Sequence, residues 1–390
     1  MTSGPSALHT GRRPTRTGGP AVPSPSHLSA PRRPTVRPTR ALTRRGTAAL
    51  LTLATAATLA LAGCSGGDET SSSDASSSAL ASQDVASGTT LDATWPLTGL
   101  TANGGSSKKY PVLVTKIDNT PSAAPQHGLG SADMVVEELV EGGYTRLAVF
   151  FYSQLPDLVG PVRSMRASDI GIVTAADADI VTSGAANVTI RRIDNAGITW
   201  FTEGDKGFYR DSSRYAPYNL MDNLKETSTL AASKTAARPD DYLPWGTASE
   251  NPKGTKATSL VASFGTHESD WVYKKGTYTN TNTNAASDDQ FKADNVLVLR
   301  VKVGDAGYLD PAGNLVPETK FTGTGQAMLF SGGRMVKGTW HKNSLTSTVS
   351  LTTGSGKNAT DMVVPAGHTW IELVPETGGS VASGSVSFSK

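Results

Sequence analysis

The chain has 390 residues, with 36 Lys and Arg against 34 Asp and Glu and a formal charge of +2. Residues 1–63 hold nine of the arginines and no Asp, Glu or Lys, so 27 basic and 34 acidic side chains give residues 64–390 a formal charge of −7. An acidic body with no basic stripe excludes broad affinity for nucleic acid, and a single cysteine, Cys64, excludes a disulfide framework.

Residues 1–63 are rich in Pro, Ser and Thr and read as a basic leader, a signal peptide. After Arg44-Arg45 comes "GTAALLTLATAATLALAGC", an uncharged run that ends at Cys64. A bilayer span needs roughly 20 clearly apolar residues. This run is shorter and mostly Ala and Thr, which fits the h-region of a secretory signal. "LAGC" (61–64) resembles the bacterial lipobox, whose cysteine is lipidated and becomes the new N-terminus; the competing reading is a cleavage region that happens to contain a cysteine. "TRRGTAAL" loosely resembles a twin-arginine signal without its usual aromatic, so two export routes stay open. Residues 64–92 are Ser-rich with few apolar side chains, too few to offset their ordering entropy, and read as a tether.

Order is expected from "ATWPLTGL" (93–100), and the remaining residues suffice for two domains. In the first, 93–235, "YPVLVTKI" (110–117) and "TRLAVFFYS" (145–153) have the β-branched and aromatic content of strands. "SMRASDIGIVTAAD" (164–177) places Met165, Ile170 and Val173 at helical intervals. "ADIVTSGA" (178–185) reads as strand, "NVTIRRIDNAG" (187–197) as a short helix closed by glycine, and "ITWFTE" (198–203) as strand again. The alternation predicts a mixed α/β domain with helices against a sheet. Residues 236–258 are polar and Pro/Gly-rich and read as a linker. From 259 to 376 only strand signals remain: "NVLVLRVKV" (295–303), "AMLFSGGRMVKGTW" (327–340), bent at Gly332-Gly333, and "GHTWIELVP" (367–375). This half should be mostly antiparallel β, followed by a loose tail, 377–390. The fold class is α+β.

Four stretches carry an excess of functional side chains. "KIDNTPSAAPQHGL" (116–129) ends a strand in Asp118-Asn119, and "EELVEGGYTR" (137–146) offers Glu137, Glu138, Glu141 and Arg146. "GPVRSMRASD" (160–169) brings Arg163 and Arg166 to the start of the 164–177 helix, and "FYRDSSRYAPYN" (208–219) holds Arg210, Asp211, Arg214 and Asn219 among aromatics. A helix N-terminus carries about half a positive charge, so two guanidinium groups there add to the field rather than compensate it. A bound anion explains them; so does pairing with nearby carboxylates such as Glu137, Glu141 or Asp169. Glu137, Glu138 and Glu141 could supply an acid–base pair for glycoside hydrolysis, yet adjacent Glu137 and Glu138 face opposite ways in a strand. Trp200, Phe201, Phe208, Tyr209, Tyr215 and Tyr218 could form a sugar-stacking wall or core. His127, His267, His341 and His368 lack metal-ligand spacing, so no metal and no cofactor is expected.

Together these stretches resemble the YerB-like family of bacterial lipoproteins, two-domain proteins whose function is unknown. The likeness rests on "WPLTGL" (95–100), "IDNTPSAAPQHGL" (117–129), "ADMVVEELVEGGYTRL" (132–147), "GPVRSMR" (160–166) and "FYRDSSRYAPYNL" (208–220). In the second half it rests on "NVLVL" (295–299), "GTGQAMLFSGG" (323–333), "GTW" (338–340) and "GHTWIELVP" (367–375). The family usually has histidine where Tyr218 stands, and a His- and Arg-containing stretch in place of 278–289. The resemblance implies the fold, export and an envelope location, and supplies no activity.

The residues support three readings. The first is a lipoprotein on the extracytoplasmic face of the cell membrane, held by lipidated Cys64. Its cleft, lined by Arg146, Arg163, Arg166, Arg210 and Arg214, would bind an anionic cell-wall glycan or precursor. Asp118, Asn119, Glu141 and Asp211 would orient those arginines, and Asn219 would join them as a ligand-binding residue. The second is a glycan hydrolase or transferase using Glu138 or Glu141, with Asp118 a further catalytic candidate. The third is an adaptor for an envelope protein, docking through the β domain.

Overall fold

The strand signals of the two halves build one continuous sheet. The computed structural model describes residues 93–231, 237–376, 381 and 383–390, all within the unit Ala79–Lys390. The leader, Cys64 and the tether lie outside the described residues. In the first half, β1 (Leu113–Asp118), β2 (Met134–Leu139) and β3 (Thr145–Phe151) are buried along their whole length. β3 lies between the other two and is antiparallel to both. After α1 (Asp169–Val173), β4 (Asp179–Val181) pairs parallel with β1. α2 (Asn187–Asn195) then carries the chain to β5 (Trp200–Phe201), parallel to β4. Such a parallel pair needs a crossover of this kind. β6 (Phe208–Arg210) and β7 (Leu220–Asp222) form a separate hairpin before α3 (Leu224–Ala231).

The second half joins the same sheet through Thr369–Pro375, which lies between β2 and Asn295–Leu309 and is parallel to both. Beyond Asn295–Leu309 follow Gly323–Ser331, Arg334–Lys342, Ser350–Thr353 and Thr360–Asp361. The hairpin of Gly323–Ser331 and Arg334–Lys342 turns at Gly332-Gly333, whose φ of 56° and 71° only glycine adopts at low cost. A second, antiparallel sheet contains Lys292–Ala293, Thr277–Asn280, Glu268–Lys274, Ser259–Ser263 and Ser385–Ser389. The fold is therefore α+β.

Alternation along the central strands gives the sheet two buried faces of different composition. One carries Asp118 of β1, Arg146 of β3 and Glu138 of β2, in register across the three strands, with Lys116 two residues before Asp118 on the same face. α1 covers it, with Asp169 Oδ1 2.7 Å from Lys116 Nζ. The other carries Glu137 and is covered by the second sheet, where Trp271 packs on Trp370 with ring centroids 5.1 Å apart.

Three local expectations change. The 164–177 helix shrinks to α1 and a following 3₁₀ turn. Val162 bridges Ile117, Arg163 N–H donates to Lys116 O and Met165 N–H to Gly184 O, so these donors serve sheet-like pairing. The segment read as a linker is packed: Tyr242 is buried, donates its hydroxyl to Ile172 O at 2.9 Å and meets Phe150 edge-on. The tail read as loose contains Ser385–Ser389, which pairs with Ser259–Ser263 and sets Phe388 against Phe330.

Candidate functional site

On the first face of the sheet, charge is neutralised residue by residue. Lys116 Nζ lies 2.8 Å from Glu138 Oε1 and 2.7 Å from Asp169 Oδ1, and all three side chains have no solvent exposure. Burial is the largest influence on Glu138 and pushes its carboxyl up to about 7, against the pull of Lys116. Arg166 grips Glu141 through two nitrogens, Nε donating at 2.9 Å. Arg146 places Nη2 3.9 Å from the same carboxylate and donates Nη1 to Ser164 O. Burial and the neighbouring Arg166 charge lower Arg146 to about 10. Burial alone would raise Glu141, but Arg166 holds its carboxyl below the ordinary range. Arg163 Nε donates to Asp118 Oδ2 at 2.7 Å. Four cations thus face four carboxylates, and Arg146 and Arg166, expected in an anion cleft, are engaged internally.

The start of α1 offers no anion site either. Asp169, in its first turn, accepts the Arg166 N–H at 2.6 Å and already supplies the negative charge there. Arg163 and Arg166 turn from that terminus toward Asp118 and Glu141. Arg210 stands apart on the surface, paired with Glu203 and with Asn219 Oδ1 at 2.7 Å. Asn219 thereby braces the β6–β7 hairpin, also accepting Asp211 N–H at its carbonyl.

On the opposite face, Glu137 accepts from Asn119 Nδ2 at 3.1 Å and Ser269 Oγ at 2.9 Å, and lies 3.0 Å from His267 Nε2. Asn119 is buried and also donates to Thr145 Oγ1, while its carbonyl accepts from Gln126. It is thus committed to the core. Burial would raise Glu137, but His267 and hydrogen bonds from Thr145 and Ser269 together lower it; burial and then Glu137's charge raise its strand neighbour Glu372 well above the ordinary carboxylate value. Lys116 and Glu372 are not marked by any local signal in the sequence, and His267 is read there only as lacking metal-ligand spacing: their partners lie on other elements of the fold, most of them far along the chain.

What remains open is a cleft of about 650 Å³ between the loop after β1 and the β6–β7 loop. Pro125 and His127 line one wall; Asp211, Arg214, Tyr215 and Tyr218 line the other. Arg214 staples the walls together. Its Nε donates to Tyr218 O at 2.8 Å, Nη1 to Pro125 O at 2.8 Å and Nη2 to Ala123 O at 2.5 Å. These bonds use three of the five N–H groups of a guanidinium, and among the described ion pairs none involves Arg214. Tyr215 is 89% exposed, although it lines the cleft. The Arg163 guanidinium lies 5.4 Å from the Tyr218 ring centroid, with 23% of its side chain exposed. The Asp211 carboxylate accepts both N–H and hydroxyl of Ser213, bonds that lower its pKa; Arg214 reaches Asp211 through its backbone N–H, and no described ion pair joins the carboxylate to Arg210 or Arg214. Arg166 lines a separate cavity of about 350 Å³ with Glu141 and Tyr308, so the five arginines do not share one cleft.

With this fold, and both motif-bearing loops at one cleft, the chain can be set beside an established two-part family. The first half matches the description "Protein of unknown function (DUF3048) N-terminal domain" over residues 97–238, and the second matches its C-terminal domain over 258–371. The chain belongs to this family of unknown function. It is 24% identical over 295 residues to "Putative lipoprotein YerB" of Bacillus subtilis (strain 168), covering 72% of this chain and 86% of that protein. The crystal structure of YerB from Bacillus subtilis matches with a TM-score of 0.62 at 22% identity, over 75% of this chain and 99% of that one. That likeness carries the fold.

Proposed function

We propose that the chain is a lipoprotein, held at the extracytoplasmic face of the membrane by lipidated Cys64. Its cleft between the loop after β1 and the β6–β7 loop binds an anionic cell-wall glycan or its precursor. The observation that carries this reading is the placement of Tyr215 and Tyr218 with Arg214 at one cleft, with Arg163 behind Tyr218. Tyrosine rings offer faces for a sugar ring. A guanidinium fork suits carboxylate or phosphate, and the cleft has the volume of a small-ligand site, which runs about 300–1,000 Å³. Of the five arginines, Arg214 and Arg163 belong to this site.

The hydrolase or transferase reading draws less support. Glu138 is sealed in the core, Glu141 is gripped by Arg166, and Asp118 is shared by Arg163 and Thr120. The adaptor reading has no observation in its favour. The test is calorimetric titration of the full chain with poly(glycerol phosphate), with a muropeptide and with an uncharged chitin oligosaccharide. The reading requires saturable binding of at least one anionic probe, weaker binding of the neutral one, and about a tenfold loss in Tyr215→Ala from the missing stacking surface. Equal binding of charged and neutral probes, or wild-type affinity in Tyr215→Ala, overturns it.

A further inference from the structure

One wall of the cleft is itself held by the other half of the chain. The loop that supplies Pro125 and His127 runs strand-like between two neighbours. On one side His127 and Gly160 exchange backbone hydrogen bonds at 2.8 and 3.1 Å, both within the first half. On the other, Gln126 N–H donates to Asn284 O at 2.8 Å and Gln126 O accepts from Ala286 N–H at 2.9 Å. Asn284 adds a side-chain bond from Nδ2 to Asn119 O at 3.1 Å. Asp289 then closes the contact: its carboxylate accepts the N–H groups of Gly128 and Gly130, the latter at 2.8 Å.

Both glycines are needed for that approach. Gly128 has φ 93°, and a Cβ on Gly130 would lie 2.7 Å from Asp289 Oδ1. Backbone N–H groups that converge in such a turn form a concavity that favours an anion. Asp289 supplies the anion from within the chain.

We propose that residues 284–289 are a positioning element for the cleft, with Asp289 its anchor. The segment lines no part of the cleft; it fixes the loop that does. A cleft made of first-half side chains therefore depends on the second half for its shape. This inference rests on the cleft being the binding site, and its test separates the two.

The experiment uses the full chain and the variants Asp289→Ala and Asp289→Asn, the latter keeping one carbonyl acceptor. Hydrogen exchange is followed at each amide, and poly(glycerol phosphate) affinity is measured beside the chemical unfolding midpoint. In Asp289→Ala the amides of Gly128 and Gly130 exchange about tenfold to a hundredfold faster, the loss expected for a charged hydrogen-bond acceptor. Affinity falls about tenfold with the unfolding midpoint nearly unchanged, because the His127–Gly160 pairing still holds the fold, and Asp289→Asn recovers part of both losses. Unchanged exchange at Gly128 and Gly130, or faster exchange throughout the chain, overturns the proposal. So does full affinity in Asp289→Ala. If the wild-type chain binds no poly(glycerol phosphate), the exchange result alone decides the brace, and only the choice of ligand falls.

Discussion

Replacing Lys116 with Met tests the charged core most sharply. Methionine keeps about the same length and fills the same space, so the change is chiefly the loss of one ammonium. Glu138 and Asp169, both fully buried, would then face each other with no cation between them. Breaking a buried ion pair from one side costs about 3–5 kcal/mol, because the surviving charge stays desolvated. Here two survive, so the upper part of that range is expected near neutral pH.

The cost should depend on pH in a definite direction. Glu138 already sits at about 7 in the folded chain, above its ordinary 4.5. The folded state then binds more protons than the unfolded one across that interval, and stability falls as pH rises through it. Without Lys116 the Glu138 carboxyl rises further, so Lys116→Met is more damaging at about pH 8 than at about pH 5. Adding Glu138→Gln removes one of the stranded charges and should recover at least about 1 kcal/mol, read as coupling in a double-mutant cycle. Urea unfolding followed by tryptophan fluorescence measures all three. A cost below about 1 kcal/mol, or one that is flat in pH, refutes the reasoning.

Three further outcomes follow from single contacts. Gly128→Ala forces a left-handed φ on alanine and brings its Cβ 2.8 Å from Val159 Cγ2; it should cost about 1–3 kcal/mol in chemical unfolding. The His267 imidazole is raised by its pairing with Glu137, against the effect of burial. Its stabilisation is complete below its unfolded value of about 6.5 and is lost as pH rises through the folded value, so His267→Gln should cost most below about pH 6.5 and least near pH 9. A cost that grows with pH would contradict the pairing. Cys64→Ala should move the protein from the membrane fraction to the medium or the soluble fraction, and intact-mass measurement should find no lipid on it.

Some strands and one hairpin are legible in the sequence because their signals are local. β1 and β3 carry runs of β-branched and aromatic residues, and Gly332-Gly333 marks a turn without reference to anything distant. The union of the two halves was not legible. Nothing in "TWIELVP" says that it lies beside β2, more than 230 residues earlier, since parallel pairing leaves no turn to read. The shortened helix α1 has the same origin: periodicity favoured helix from residue 164, but pairing with β1 and Gly184 took the backbone donors of residues 163 and 165.

The candidate site was legible in composition and not in arrangement. The motifs that carry Tyr215, Tyr218 and Arg214 do meet the loop containing His127. Which arginines remain near a cleft depended on where each carboxylate lay across the sheet. Glu138, Arg146 and Asp118 meet only through register, and Asp289 reaches Gly128 across 161 positions. Sequence spacing holds no record of either.

The binding cleft is tested most directly by mapping where an anionic wall polymer protects the full chain from hydrogen exchange. Saturating poly(glycerol phosphate) should slow exchange in the loop of residues 121–128 and in residues 211–218, and leave the neighbourhood of Arg166 and Glu141 unchanged. Protection confined to other surfaces, or none at a concentration where binding is saturated, would contradict the assignment of this cleft.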